Sequence, residues 1–214
     1  IATFPMLAIR KCELEFGEAA LVMGFGVLGM IGVKLLRAAG AYPIVVADLQ
    51  AEKREEALKI GADYAFDPTD ADFAANVKAV TNGGAKVVIE VTGNDRALDS
   101  ALDCCAKFAR VALLGCTRNS EFAIDYYHKV HGPGINLIGM NTHARPMVES
   151  THGMWTTHDD AMAILRMIHG KRLDLLSMVA ETHSPLEAEE VYNRLATEKT
   201  FPIVQFDWDT VSEE

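Results

Sequence analysis

The sequence is poor in the features that mark secreted, membrane or nucleic-acid-binding proteins. Its four cysteines are Cys12, the neighbours Cys104 and Cys105, and Cys116. That spacing fits neither a metal-ligand pattern nor the disulfide framework of a small secreted domain, so a reducing, cytoplasmic setting is expected. The uncharged run at 19–33 falls short of the roughly 20 residues that cross a bilayer, and it is interrupted by Gly24, Gly26, Gly29 and Gly32. No membrane contact is expected from it. Clustered positive charge is also missing. Lys and Arg number 20 against 30 Asp and Glu, a formal net charge of -10, which argues against nucleic acid because phosphate binding relies on clustered Lys and Arg. There is no internal repeat and no low-complexity stretch. Nor does a charged n-region followed by an apolar h-region open the chain. The first residue is Ile1 rather than methionine, and the expectation is a piece cut from a longer polypeptide.

What is present is an ordinary globular composition, 50% apolar and 23% charged over 214 residues, enough for one core plus part of another domain. Charge is uneven: residues 1–140 hold 14 basic against 17 acidic residues, or -3, whereas 141–214 hold 6 against 13, or -7. From residue 19 on, short apolar runs alternate with amphipathic stretches, as in a parallel sheet covered on both faces. The pattern predicts strands at 20–24, 44–48, 64–66, 87–92, 111–116 and 135–140. Helices are predicted at 28–39, 51–60, 71–80, 95–108 and 122–131. Right-handed crossovers then give a Rossmann-type doubly wound α/β fold with strand order 3-2-1-4-5-6. A lead-in helix falls within 1–18, and the cofactor-binding domain is drawn at 1–140. The remainder, 141–214, has a different rhythm: a polar loop, a helix at 159–169, a strand at 175–181, a helix at 185–196 and a strand at 203–206. It is read as an α+β tail belonging to another domain.

One motif carries chemistry. Gly24-Phe25-Gly26-Val27-Leu28-Gly29 follows an apolar strand directly and opens a helix. The first glycine permits the tight turn, the second lets backbone approach a pyrophosphate, and the third lets helix and strand pack closely. The helix mouth then offers unpaired N–H groups and a positive dipole end to phosphate. Asp48 ends the next strand, where a carboxylate accepts bonds from the ribose hydroxyls of NAD and repels the 2′-phosphate of NADP. Lys53 and Arg54, one helical turn on, would soften that preference. Alternatives remain: Asp48 as a mere helix cap, or a methyltransferase with a glycine-rich first turn.

The stretch 21–67, with Gly61-Ala62-Asp63 after its second helix, resembles the medium-chain dehydrogenase/reductase family, specifically its zinc-dependent alcohol and polyol dehydrogenases of the sorbitol and threonine type. Val88-Ile89-Glu90-Val91-Thr92-Gly93, Ala112-Leu113-Leu114-Gly115 and Leu137-Ile138-Gly139 resemble the fourth, fifth and sixth strands of that family. Gly170-Lys171-Arg172-Leu173 and Thr182-His183-Ser184-Pro185-Leu186 resemble its C-terminal return. The resemblance implies pyrophosphate contact at Gly24, Gly26, Val27, Leu28 and Gly29, and adenosine ribose contact at Asp48 and Lys53. It further implies a nicotinamide side framed by Val91, Thr92, Gly93, Leu114, Gly115, Cys116, Ile138 and Gly139. The cofactor expected is NAD, with NADP disfavoured. The resemblance also implies a homodimer or tetramer paired through 135–140. In that family both zinc sites lie in a barrel-like domain preceding the cofactor domain. The chain alone is therefore expected to bind cofactor without catalysis, carrying neither catalytic residues nor metal ligands. A zinc-free NADP-dependent quinone or enone reductase, or a stand-alone NAD-sensing domain, are the competing readings.

His143, His152 and His158 with Asp159 and Asp160 suggest a metal, but their loose spacing suits solvated loop residues better. Arg145 and Trp155, in the same stretch, are candidates for a cleft or a subunit contact. Cys104 and Cys105 are expected to pack helix against sheet.

Overall fold

β1 (Ala20–Met23) and β2 (Ile44–Ala47) are buried along their whole length, as strands covered on both faces must be. With β3 (Tyr64–Phe66), β4 (Ala85–Glu90), β5 (Cys105–Leu113) and β6 (Asn136–Gly139) they form one sheet in the order 3-2-1-4-5-6. Every pairing in it is parallel. The computed structural model describes residues 1–117, 121–198 and 202–211. Helices α1 (Thr3–Lys11), α2 (Val27–Ala39), α3 (Ala51–Ile60), α4 (Phe73–Val80) and α5 (Asp95–Asp103) accompany the sheet.

Successive residues of β1 serve opposite core layers. Ala20 and Val22 pack with Leu7, Val33 and Leu36, while Leu21 and Met23 pack with Val77, Ala101 and Leu102. Each fully buried Val or Leu of these layers stabilises the fold by roughly 1.5–3 kcal/mol. The doubly wound architecture is the one expected. Its strand order reverses between β1 and β4, so a crevice opens above their carboxyl ends.

Three predicted elements differ. The helix drawn at 95–108 stops at Asp103, and β5 begins at Cys105. The cause lies upstream: Gly84, at φ +126°, brings its backbone so close to Cys105 and Ala106 that any side chain would collide, and Ala85 N–H donates to Cys104 O at 3.0 Å. The helix drawn at 122–131 is reduced to a single π-turn, Tyr127–His131. The strand drawn at 175–181 gives way to a 3₁₀ turn at Leu176–Met178, because the Asp174 carboxylate accepts from Ser177 N–H and folds the backbone locally.

The compact unit containing the sheet runs from Ile1 to Leu173, so the boundary drawn after residue 140 falls inside it. Residues 141–173, including α6 (Thr157–His169), are tied to α1 by buried charge. Asp160, 0% exposed, accepts from Arg10 Nε at 2.7 Å and from Arg145 Nη1 at 3.4 Å. Arg145 Nη2 donates to Thr3 O at 2.9 Å, and the Arg10 guanidinium lies 3.6 Å from the centre of the Trp155 ring. Arg145 and Trp155 thus serve internal packing. The second unit begins at Asp174. In it β7 (Glu181–His183) pairs in parallel with β8 (Val204–Phe206), and α7 (Ala188–Thr197) lies between them in sequence. Arg194 grips both oxygens of Glu181 at 2.7 and 3.0 Å. No helix among the described residues is long and apolar enough to cross a membrane.

Candidate functional site

The crevice at the strand-order reversal is floored by the turn after β1. Gly24 adopts φ +98°, and a Cβ there would come within 2.7 Å of Thr92 Cγ2. Gly29 is tighter still, since its Cβ would strike the carbonyl oxygen of Gly24 itself. Gly26 is different. It caps α2 in an extended conformation and a Cβ built on it meets no protein atom within 4 Å. It faces open space at the helix mouth, where Val27 is exposed, no acidic residue occupies the first turn, and no side chain caps the helix. The first-turn N–H groups have no partner within the helix, which makes the mouth suited to an anion.

Asp48 joins this mouth to the end of β2. One carboxylate oxygen accepts from Phe25 N–H, inside the glycine turn, at 2.7 Å, and the other from Gln50 N–H at 2.9 Å. The residue therefore braces the β2–α3 turn without capping α3, whose N-cap is Gln50, and in the same geometry sets its carboxylate against the glycine turn. Beside it is a cavity of about 490 Å³ lined by Asp48, Lys53, Thr69, Thr92, Arg96 and Ser100 among others. Lys53 points into this space. Arg54 does not: its Nη1 donates to the carbonyls of Asp48 and Leu49 at 2.8 and 2.9 Å and pairs with Asp67 at 3.0 Å. Sequence reasoning named Arg54 beside Lys53 and missed Arg96, which the first turn of α5 brings to the same cavity.

On the other side of the reversal, Val91, Thr92 and Gly93 form the turn after β4, packed against the end of β5. A Cβ on Gly93 would lie 2.8 Å from the backbone of Cys116, and one on Gly115 would strike Gly93 N. Leu114 is buried and Cys116 exposed. Ile138 and Gly139 are register partners of Ala112 and Leu113, one strand further on, and Lys11 Nζ donates to Gly139 O at 2.7 Å. The helix mouth, Asp48, Lys53 and the 91–93 turn thus share one crevice, with residues 114–116 and 138–139 continuing its rim along β5 and β6.

Glu90 is the residue that sequence reasoning passed over as a site. It is an acid closing β4 directly after the apolar run Val87-Val88-Ile89, 3% exposed, and that contrast was the available signal. Burial pushes its carboxyl above the usual range, against the opposing pull of hydrogen bonds from Thr92 and Gly93. It also lines a second cavity, about 370 Å³, with Gly93, Leu98, Leu113 and Gly115 among others.

For a metal, the donor set does not fit. Among the described residues no group of three or more His, Cys, Asp or Glu is placed to hold one. Asp160 is taken by two arginines, Asp159 accepts from the Ser150 hydroxyl, and His143, His152 and His158 are exposed.

A family model described as zinc-binding dehydrogenase matches residues 27–151. The L-threonine 3-dehydrogenase of Pyrococcus horikoshii is 28% identical over 190 residues, covering 88% of this chain and 51% of that protein. The sorbitol dehydrogenase of Bacillus subtilis is 31% identical over 119 residues, 55% of this chain and 34% of its own. The crystal structure of 2R,3R-butanediol dehydrogenase from Bacillus subtilis superposes with a TM-score of 0.79 at 22% identity, covering 96% of this chain and 55% of that one. At that identity the likeness speaks for the fold. The chain spans about half the length of the threonine dehydrogenase it matches.

Proposed function

Because the chain belongs to the zinc-binding dehydrogenase family, we propose that it is the NAD-binding part of an alcohol or polyol dehydrogenase, and that alone it binds the dinucleotide without turning over. The observation that carries this reading is the pairing of a bare Gly26 at the mouth of α2 with a carboxylate 2.7 Å from the neighbouring Phe25 N–H. Val27, Leu28 and Gly29 would meet the pyrophosphate with backbone N–H groups. Asp48 would accept from the adenosine ribose, with Lys53 beside it. Val91, Thr92, Gly93, Leu114, Gly115, Cys116, Ile138 and Gly139 would frame the nicotinamide half. Bound there, the nicotinamide supplies the hydride acceptor for oxidation of a secondary alcohol. No metal step is assigned to these residues, since their donors do not form a zinc site.

NAD is favoured over NADP because the Asp48 side chain is held between Phe25 N–H and Gln50 N–H at the end of β2, while Arg54, one of three cations nearby, is spent on Asp67 and the β2–α3 turn. Lys53 and Arg96 line the same cavity, and their strength against Asp48 decides the matter. Asp48→Ala is expected to weaken NADH binding by at least tenfold in calorimetric titration, about 1.4 kcal/mol. An unchanged affinity would remove the ribose clamp from the account. On the same reading a second copy of the chain would pair along β6, one of the two outer strands of the sheet.

A further inference from the structure

Glu90 holds together the two turns that flank the nicotinamide half of the crevice, with both its carboxylate oxygens and its main-chain carbonyl. Its carboxylate accepts from Thr92 N–H at 2.7 Å, from the Thr92 hydroxyl, and from Gly93 N–H at 3.2 Å to each oxygen. Its main-chain carbonyl accepts from Leu114 N–H at 2.9 Å and Gly115 N–H at 2.7 Å. The surroundings leave no slack. A Cβ on Gly115 would lie 2.8 Å from Glu90 Oε2, and one on Gly93 would meet the backbone of Cys116.

In a trans peptide the N–H and the preceding C=O point in opposite directions. With the N–H groups of Thr92 and Gly93 both drawn inward to Glu90, the carbonyls of Val91 and Thr92 are turned outward. Those two oxygens are acceptors suited to ligand donors such as ribose hydroxyls or a carboxamide NH₂. The inward carboxyl itself stays buried.

We propose that Glu90 is a positioning residue for the nicotinamide nucleoside half of the cofactor, orienting the Val91 and Thr92 carbonyls through the Thr92 and Gly93 peptides. The proposal rests on the dinucleotide reading above. Its premium is preorganisation: without the carboxylate the turn must be ordered at the moment of binding, and that cost falls only on ligands that reach the turn.

The test compares NADH with ADP, which carries the adenosine and pyrophosphate but lacks the second ribose and the nicotinamide. In Glu90→Gln the amide nitrogen cannot accept from Gly93 or Thr92, and the expected result is roughly tenfold weaker NADH binding with ADP affinity within about twofold of the parent. Glu90→Asp keeps the charge but shortens the reach to Gly93, and a smaller loss confined to NADH is expected. If both ligands weaken together in step with a fallen melting temperature, or if neither changes, Glu90 is only structural and the proposal is overturned. Should Glu90→Gln fail to fold, Glu90→Asp decides on the same two ligands. A parent chain that binds neither NADH nor ADP overturns the dinucleotide reading instead, which keeps the two failures apart.

Discussion

Gly29→Ala is expected to cost the first unit about 3 kcal/mol, a fall of roughly 6–12 °C in melting temperature for a unit of this size, and to abolish dinucleotide binding. The Cβ it adds would lie 2.1 Å from the carbonyl oxygen of Gly24, a backbone atom that cannot rotate aside, so α2 must lift away from β1. Gly26→Ala is the informative partner. Its Cβ meets no protein atom, and its backbone at φ -79° suits any residue, so stability should change by no more than about 1 kcal/mol. The methyl group would nevertheless occupy the approach to the helix mouth and weaken NADH at least roughly tenfold. Thermal unfolding and calorimetry on the two variants separate packing from binding within a single motif. Equal effects of both substitutions on both readouts would show that the glycines act through the fold alone.

Asp160→Ala should cost about 3–5 kcal/mol, because it strands two arginine charges that now share one fully buried carboxylate. Arg145 has no solvent to turn to, with only 2% of its side chain exposed, whereas Arg10 retains 21%. The loss should therefore fall mainly on the Arg145 side, where residues 141–156 join α1. Trp155 lies against the Arg10 guanidinium, so its emission should shift as the cluster opens, ahead of the loss of far-ultraviolet ellipticity from the sheet and its helices. A melting temperature within about 2 °C of the parent would mean that α6 is held by apolar contacts and that the ion cluster contributes little.

The contrast between these sites explains what could be read in advance. Buried strands such as Ile44–Ala47 declare themselves by uninterrupted apolar residues, and the glycine turn by its place between a strand and a helix. Asp48 was legible because its spacing from the turn reflects one βαβ unit, a local matter. Glu90 was in plain view as an acid after the apolar run Val87–Ile89, but its partners are mainly backbone N–H groups whose direction no side-chain pattern records. Arg10 and Asp160, 150 residues apart, become neighbours only through the packing of α1 on α6. The early start of β5 hides for a related reason: 95–108 has the apolar spacing of a helix, and what overrides it is the backbone approach permitted at Gly84. Arg54 looked like a ligand cation until Asp67, brought alongside by the β3 turn, claimed it.

The most direct trial of the account is a paired titration of the 214-residue chain with NADH and NADPH under identical ionic conditions. An acidic grip on the adenosine ribose predicts saturable one-to-one binding of NADH at least tenfold tighter than NADPH, with the gap closing in Asp48→Ala. Equal or tighter binding of NADPH, or heat from neither ligand, would contradict it.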